Sequence, residues 1–165
     1  MSTANQSPWK YAILWLRIYF GAHLFYSGAR YILTSYVPEI PGPGGAYVDA
    51  AKNIYIFQII KYMECVFGIM LLTNRGVLLA LMLEMPATMN IFWLNTFIVA
   101  TPRQLFTGPQ ELFMNGVLLL AYGGYFASVL QAKVEPMWLW DGWKKLVGAR
   151  SNGSATPAGV QRADA

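Results

Sequence analysis

Four long apolar stretches constrain the fold of this chain more than any other feature. They cover about residues 11–33, 54–72, 77–99 and 112–130. A hydrocarbon layer about 30 Å thick is crossed by about 20 helical residues, so each stretch is long enough to span it. A backbone in lipid must satisfy its own hydrogen bonds, and a helix does so within one segment. The sequence therefore predicts an all-α integral membrane protein built as a four-helix bundle.

The composition excludes several other classes of protein. Of the 165 residues, 56% are apolar and 12% are charged, whereas soluble domains carry about 25% charged residues. This argues against a disordered chain and against a typical water-soluble enzyme. The chain has one cysteine, Cys65, and one histidine, His23. We therefore expect no internal disulfide, no haem held by two histidines and no metal site.

The charges outside the apolar stretches indicate the orientation of the chain. The N-terminus, the link after the second stretch and the C-terminus carry seven basic and three acidic residues, which accounts for the net charge of +4. On the other side, two basic residues balance two acidic ones. Basic residues favour the cytoplasmic side, so both termini are predicted to be cytoplasmic in a multi-pass protein of the cell inner membrane. A basic charge placed in this way does not call for a nucleic-acid partner.

The links between the stretches complete the predicted organisation. Residues 34–53 form a long connection rich in proline and glycine, and connections of this length are often functional. Residues 73–76 predict a tight turn, and residues 100–109 a short loop. We expect residues 1–143 to form the transmembrane domain, which ends in a short interfacial helix marked by Trp138, Trp140 and Trp143. Residues 144–165 predict a polar, disordered tail.

Ionisable and polar residues lie inside the predicted spans, where one charge costs about 2.5–3.5 kcal/mol. The candidates for a buried charge network are Arg17, Lys61, Glu64, Glu84, Glu111 and Asn115. The helical rise places Arg17 about 8 Å and Glu84 about 5 Å to the cytoplasmic side of the midplane, with Glu64 near the centre. This predicts that Arg17 pairs with one or both carboxylates, and the same count places Arg30 near the depth of Glu111. The charges either hold the bundle together, line a polar pocket for a ligand or protons, or extend towards lipid headgroups.

The first span carries two further patterns. Gly21 and Gly28 share the face of Arg17, which allows a neighbouring helix to approach closely. A separate polar stripe consists of Tyr19, His23, Tyr26 and Arg30, together with Ser27. His23 falls near the middle of the membrane, where it can hydrogen-bond to the carbonyl of a quinone headgroup. These residues are therefore candidates for binding a quinone, a cofactor held without a covalent bond. The alternative is a buried histidine bonded to a neighbouring helix.

The order and spacing of these residues resemble the DoxX family of small four-helix membrane proteins. The resemblance covers about residues 11–130. It is carried by Leu16-Arg17, Gly21, Ser27-Gly28 and Arg30, then by Glu64, Gly68, Leu71-Leu72 and Asn74-Arg75-Gly76, and finally by Leu118-Leu119-Leu120, Gly123-Gly124 and Ser128. It implies an integral inner-membrane protein. Some members are the small subunit of a thiosulfate:quinone oxidoreductase, and others associate with redox-stress proteins in membrane complexes. Arg17 and Glu64 are the charged positions that match.

Two functions follow as hypotheses. The first is a membrane subunit of a quinone-linked redox complex, which binds quinone or a partner protein through the polar interior of the bundle. The second is a non-catalytic scaffold or accessory subunit of a larger membrane assembly, favoured because the chain has no recognisable catalytic set. Either function predicts contact with lipid and with a membrane or peripheral redox protein, and a homo-oligomer fits both. A small-solute transporter ranks third, because four helices leave little room for alternating access.

Overall fold

The computed structural model describes residues 8–126, 140–141 and 143–144. Within these residues every regular element is helical, which confirms the predicted all-α class. The α-helices are α1 (Pro8–Thr34), α2 (Gly42–Asn53), α3 (Ile56–Leu72), α4 (Val77–Trp93) and α5 (Pro102–Ala121). A π-helix (Leu94–Val99) continues α4, and a 3-10 turn (Gly123–Phe126) follows α5. The chain divides into two compact units, Met1–Ala127 and Ser128–Ala165, and all of these helices belong to the first.

The second unit contains the predicted interfacial helix and tail. Its described residues are Trp140, Asp141, Trp143 and Lys144, which are helical and exposed. The remaining residues of the predicted interfacial helix, including Trp138, lie outside the described residues. The tail beyond Lys144 and the end of the fourth predicted span after Phe126 lie outside them as well.

The core of the first unit forms where α1, α3, α4 and α5 meet. Its fully buried side chains include Phe20, Leu71, Leu81 and Leu118. Large apolar side chains also cover the outer surface of the unit. Trp15, Leu33, Phe106 and Leu120 are between 63% and 82% exposed. The outer surface is therefore rich in apolar side chains, and several polar groups are buried inside.

Glycines bring the backbones of α1 and α3 into direct contact. A Cβ atom added at Gly28 would lie 2.5 Å from the carbonyl oxygen of Lys61 and 2.6 Å from the backbone nitrogen of Cys65. A Cβ atom at Gly68 of α3 would lie 2.5 Å from the backbone nitrogen of Phe25. The close approach that the glycines of the first span predict is thus confirmed, and the neighbouring helix is α3.

One helix of the described residues is long and apolar enough to cross a membrane, and it consists of α4 with its π-helical continuation, Val77–Val99. A second span is present if α2 and α3, which are bent by 84° at their junction, together count as one broken helix. Pro86 lies within α4 without ending it. The arrangement with four spans stays a prediction.

Two predicted loops are helical instead. The connection 34–53 contains α2, and the predicted loop 100–109 belongs to α5, which begins at Pro102 and includes Pro109. Both helices carry proline in the first turn, where its missing N–H leaves no hydrogen bond unmade. The proline that suggested a loop therefore marks the start of each helix. At its other end, α5 stops at Ala121 rather than continuing towards residue 130, and Gly123 and Gly124 turn the chain.

Candidate functional site

Two polar contacts join α1 to α5 along one seam. The Nε2 atom of His23 lies 2.9 Å from Oε1 of Glu111. The Nε2 amide of Gln110 donates to the hydroxyl of Tyr19 at 3.3 Å. The side chain of His23 is 41% exposed, and that of Glu111 is 16% exposed. The seam therefore presents an imidazole paired with a carboxylate at the outer surface of the bundle.

A second pair lies between α1 and α3 and is more deeply buried. The Nζ atom of Lys61 donates to both carboxylate oxygens of Glu64, at 2.7 and 2.8 Å, and to the hydroxyl of Ser27 at 2.9 Å. Glu64 is only 2% exposed. All three hydrogen-bonding positions of the ammonium group are thus occupied, which offsets part of the cost of burying it.

A third polar layer lies between α4 and α5. The side-chain amide of Asn115 donates to the hydroxyl of Thr88 at 3.1 Å. Glu84, one turn before Thr88 on α4, is 2% exposed. Its Oε1 atom and the Oδ1 atom of Asn115 are buried and find no hydrogen-bond partner among the described residues. This layer therefore holds two acceptor oxygens in the interior that can still receive a proton or a donor.

The predicted pairing of Arg17 with Glu64 or Glu84 is wrong. The Nη1 atom of Arg17 donates instead to the side-chain oxygen of Asn74, in the turn after α3, and to the hydroxyl of Tyr122 at 3.3 Å. Glu64 pairs with Lys61, three residues earlier on its own helix. Depth and helical face limit which groups can meet, but they do not identify the helix that lies opposite.

Arg30 is not a partner of Glu111 either. Its guanidinium lies over the ring of Tyr36, 3.5 Å from the ring centroid, in a cation–π contact beyond the end of α1. His23 takes the carboxylate of Glu111. The predicted quinone-binding residues are therefore divided between Tyr19 and His23 at the α1/α5 seam and an exposed group at the other end of the stripe. That group comprises Tyr26, which is 65% exposed, and Arg30.

Sequence reasoning missed two residues that the structure adds to these contacts. Asn74 reads as a turn residue, and it does take a positive φ of 58° in the turn, where asparagine is tolerated. Its side chain also holds Arg17. Gln110 lies in the segment that predicts a loop, so its helical face could not be assigned. For Gln110, its position next to Glu111 in one helix is the signal that would have placed it near α1.

Two cavities lie at opposite ends of the first unit. One, of about 560 Å³, is lined by residues 37–41 and by Gly45, Asp49 and Lys52 of α2. The other, of about 270 Å³, lies between the start of α1 and the end of α5, and Lys10, Arg17 and Tyr122 are among its lining residues.

Within the part of the chain that the structure describes, no three His, Cys, Asp or Glu side chains are placed to hold a metal ion.

Comparisons with models of protein families, with curated proteins and with solved structures find no match to this chain. The resemblance to the DoxX family therefore stays a prediction that rests on the residues quoted for it.

Proposed function

We propose that the chain is a multi-pass inner-membrane protein of the DoxX type, with both termini in the cytoplasm, and a subunit of a quinone-linked redox complex. The distribution of side chains supports the membrane placement. Glu64, Glu84 and Asn115 are buried, while large apolar residues face outwards. Soluble monomers rarely expose large apolar patches, and lipid accepts them without cost. In this placement α1, α3, α4 with its π-helical continuation, and α5 are the four spans.

One observation carries the redox assignment, namely the His23–Glu111 pair on the α1/α5 seam. The imidazole is partly exposed on the outer surface, so a lipid-soluble molecule could reach it sideways from the bilayer. A neutral imidazole has one donor and one acceptor nitrogen. In this proposal Nε2, 2.9 Å from Glu111, carries the N–H, and Nδ1 is the acceptor. This nitrogen suits the hydroxyl of a reduced quinone headgroup, and its protonated form suits the carbonyl of an oxidised one.

A quinone bound here would supply two-electron chemistry coupled to two protons. In this proposal its electrons would be exchanged with a partner redox protein. His23 would take up or release a proton at Nδ1. Glu111 would orient the ring and stabilise the imidazolium, as carboxylates beside histidine commonly do. Tyr19 and Gln110, bonded to each other one turn away, would border the headgroup.

Further polar residues of α4 and α5 lie in the interior of the bundle, and the first of them is close in sequence to Glu111. Asn115 lies one turn after Glu111 on α5 and bonds Thr88 of α4. Glu84 lies one turn before Thr88, with an oxygen that has no donor among the described residues. These polar side chains follow one another at helical spacing on α5 and α4, and in this proposal the proton is exchanged with them rather than with lipid.

Quinone binding tests this proposal directly. The full chain in lipid nanodiscs should bind a short-chain ubiquinone, measured by calorimetry. His23→Phe should weaken the binding about tenfold, because one hydrogen bond in a site of low dielectric is lost. Tyr62→Phe, which alters an exposed ring on α3, is the matched control and should bind as the unmodified chain does. A chain that binds no ubiquinone, or binds it equally well after His23→Phe, would refute the assignment.

The orientation has a separate test. In a Cys65→Ala background, Glu39→Cys should react with a membrane-impermeant maleimide added to intact spheroplasts. Ser154→Cys should react only after the membrane is broken, because the basic residues near the C-terminus keep that end in the cytoplasm. Labelling of Ser154→Cys in intact spheroplasts would contradict the proposed orientation.

A further inference from the structure

Arg17 is a buried cation whose partners carry no negative charge. It is 9% exposed, and among residues 8–126 no carboxylate oxygen lies within the 4.0 Å limit of an ion pair with it. Its Nη1 atom donates to two neutral oxygens, those of Asn74 and Tyr122. Its Nε atom is buried without any acceptor in the same part of the chain. Burial of a charge without a counter-charge is costly, so this site calls for an anion.

The cavity of about 270 Å³ at the start of α1 offers the space for that anion. Arg17 and Tyr122 line it, and Lys10 adds a second cation. Lys10 and Arg17 are seven residues apart, which is two helical turns and about 10 Å, so they lie on the same face of α1. Ile13 and Leu14 line the cavity between them. Two cations therefore flank an apolar strip, and this arrangement suits an anion that carries a hydrocarbon chain.

We propose that this cavity binds the phosphate group of an anionic phospholipid from the leaflet at the N-terminal end of α1. Guanidinium and ammonium groups are the usual protein ligands of phosphate oxygens. Trp9 also lines the cavity and is 60% exposed, as is typical of tryptophan at the headgroup level. Leu14 is 43% exposed and continues the apolar strip along the outer surface. The inference uses the proposed membrane placement and does not depend on the quinone site.

The test uses the purified full chain in detergent after removal of bulk lipid. Phosphatidylglycerol should raise the Tm, whereas zwitterionic phosphatidylethanolamine and inorganic phosphate at the same concentration should not. Lys10→Gln, at an exposed position where we expect folding to be unaffected, should weaken phosphatidylglycerol binding about tenfold, as should Arg17→Gln. Arg103→Gln removes an equal, exposed charge at the start of α5 and should leave the binding unchanged.

Three results would overturn the proposal. Phosphatidylglycerol binding that is unchanged by Lys10→Gln would show that the lipid lies elsewhere. A Tm increase with inorganic phosphate equal to that with phosphatidylglycerol would identify a soluble anion as the ligand. If phosphatidylglycerol leaves the Tm unchanged, the cavity does not bind an anionic phospholipid. Because none of these measurements involves quinone, the two proposals can fail independently.

Discussion

Replacing Lys61 by methionine should lower the free energy of unfolding by about 3–5 kcal/mol, the usual cost of removing one partner of a buried ion pair. The ammonium of Lys61 donates to both oxygens of Glu64 and to Ser27. Without it, the carboxylate of Glu64, which is 2% exposed, is left without its cation. Equilibrium unfolding of the full chain in mixed micelles, titrated with sodium dodecyl sulfate, measures the loss.

A double replacement separates the pair from the space that it fills. Lys61→Met combined with Glu64→Met should recover most of the lost stability, because well-packed apolar residues often replace a buried ion pair at little cost. Lys52→Met, at an exposed cation on α2, is the matched control and should change the stability little. A Lys61→Met chain as stable as the unmodified one would show that Glu64 does not depend on this cation.

Replacing Gly28 by alanine should destabilise the α1/α3 contact by about 3 kcal/mol, at the upper end of the cost of overpacking. The added Cβ atom would lie 2.5 Å from the carbonyl oxygen of Lys61 and 2.6 Å from the nitrogen of Cys65. Both are backbone atoms, which cannot turn aside as a side chain can, so the two helices must separate. The same unfolding titration measures the effect.

Gly116 of α5 provides the matched control for Gly28. A Cβ atom added there meets nothing within 4 Å. Gly116→Ala should therefore stabilise the protein by up to about 1 kcal/mol, through the higher helix propensity of alanine. If Gly28→Ala and Gly116→Ala behaved alike, the close contact of α1 with α3 would be contradicted. Because Gly28 lies against the backbone of Lys61, its replacement should also be non-additive with Lys61→Met.

The sequence predicts the helices of this protein better than the partners of its charged groups. Apolar length and helical spacing correctly predict the all-α class and the close approach at Gly28. They do not show which helices are neighbours, so Arg17 was expected beside a carboxylate and instead bonds Asn74 and Tyr122. The His23–Glu111 contact joins residues 88 positions apart in the chain, and it depends on the packing of α1 against α5. No periodicity within one helix contains that information.

The two predicted loops that are helical in the structure both contain proline. Pro41 and Pro43 lie in the connection 34–53, and Pro102 lies in the predicted loop 100–109. In the structure Pro41 caps α2, and Pro102 opens α5. Position within the helix decides which effect proline has, and a single sequence does not fix that position.

The π-helical turn Leu94–Val99 determines what deletion of one residue at the end of α4 would do to the packing. A π turn holds one residue more than the α-helical turn that it replaces, so side chains after it are rotated out of the register set by α4. Its residues pack closely on both neighbours, since a Cβ atom added at Gly108 would lie 2.9 Å from that of Asn95, and one at Gly44 would lie 2.6 Å from Val99. Deletion of one residue here would convert the turn to α-helix and pull Val99 away from α2. The π turn thus sets the position at which Val99 meets α2, at the end of the helix that carries the buried Glu84.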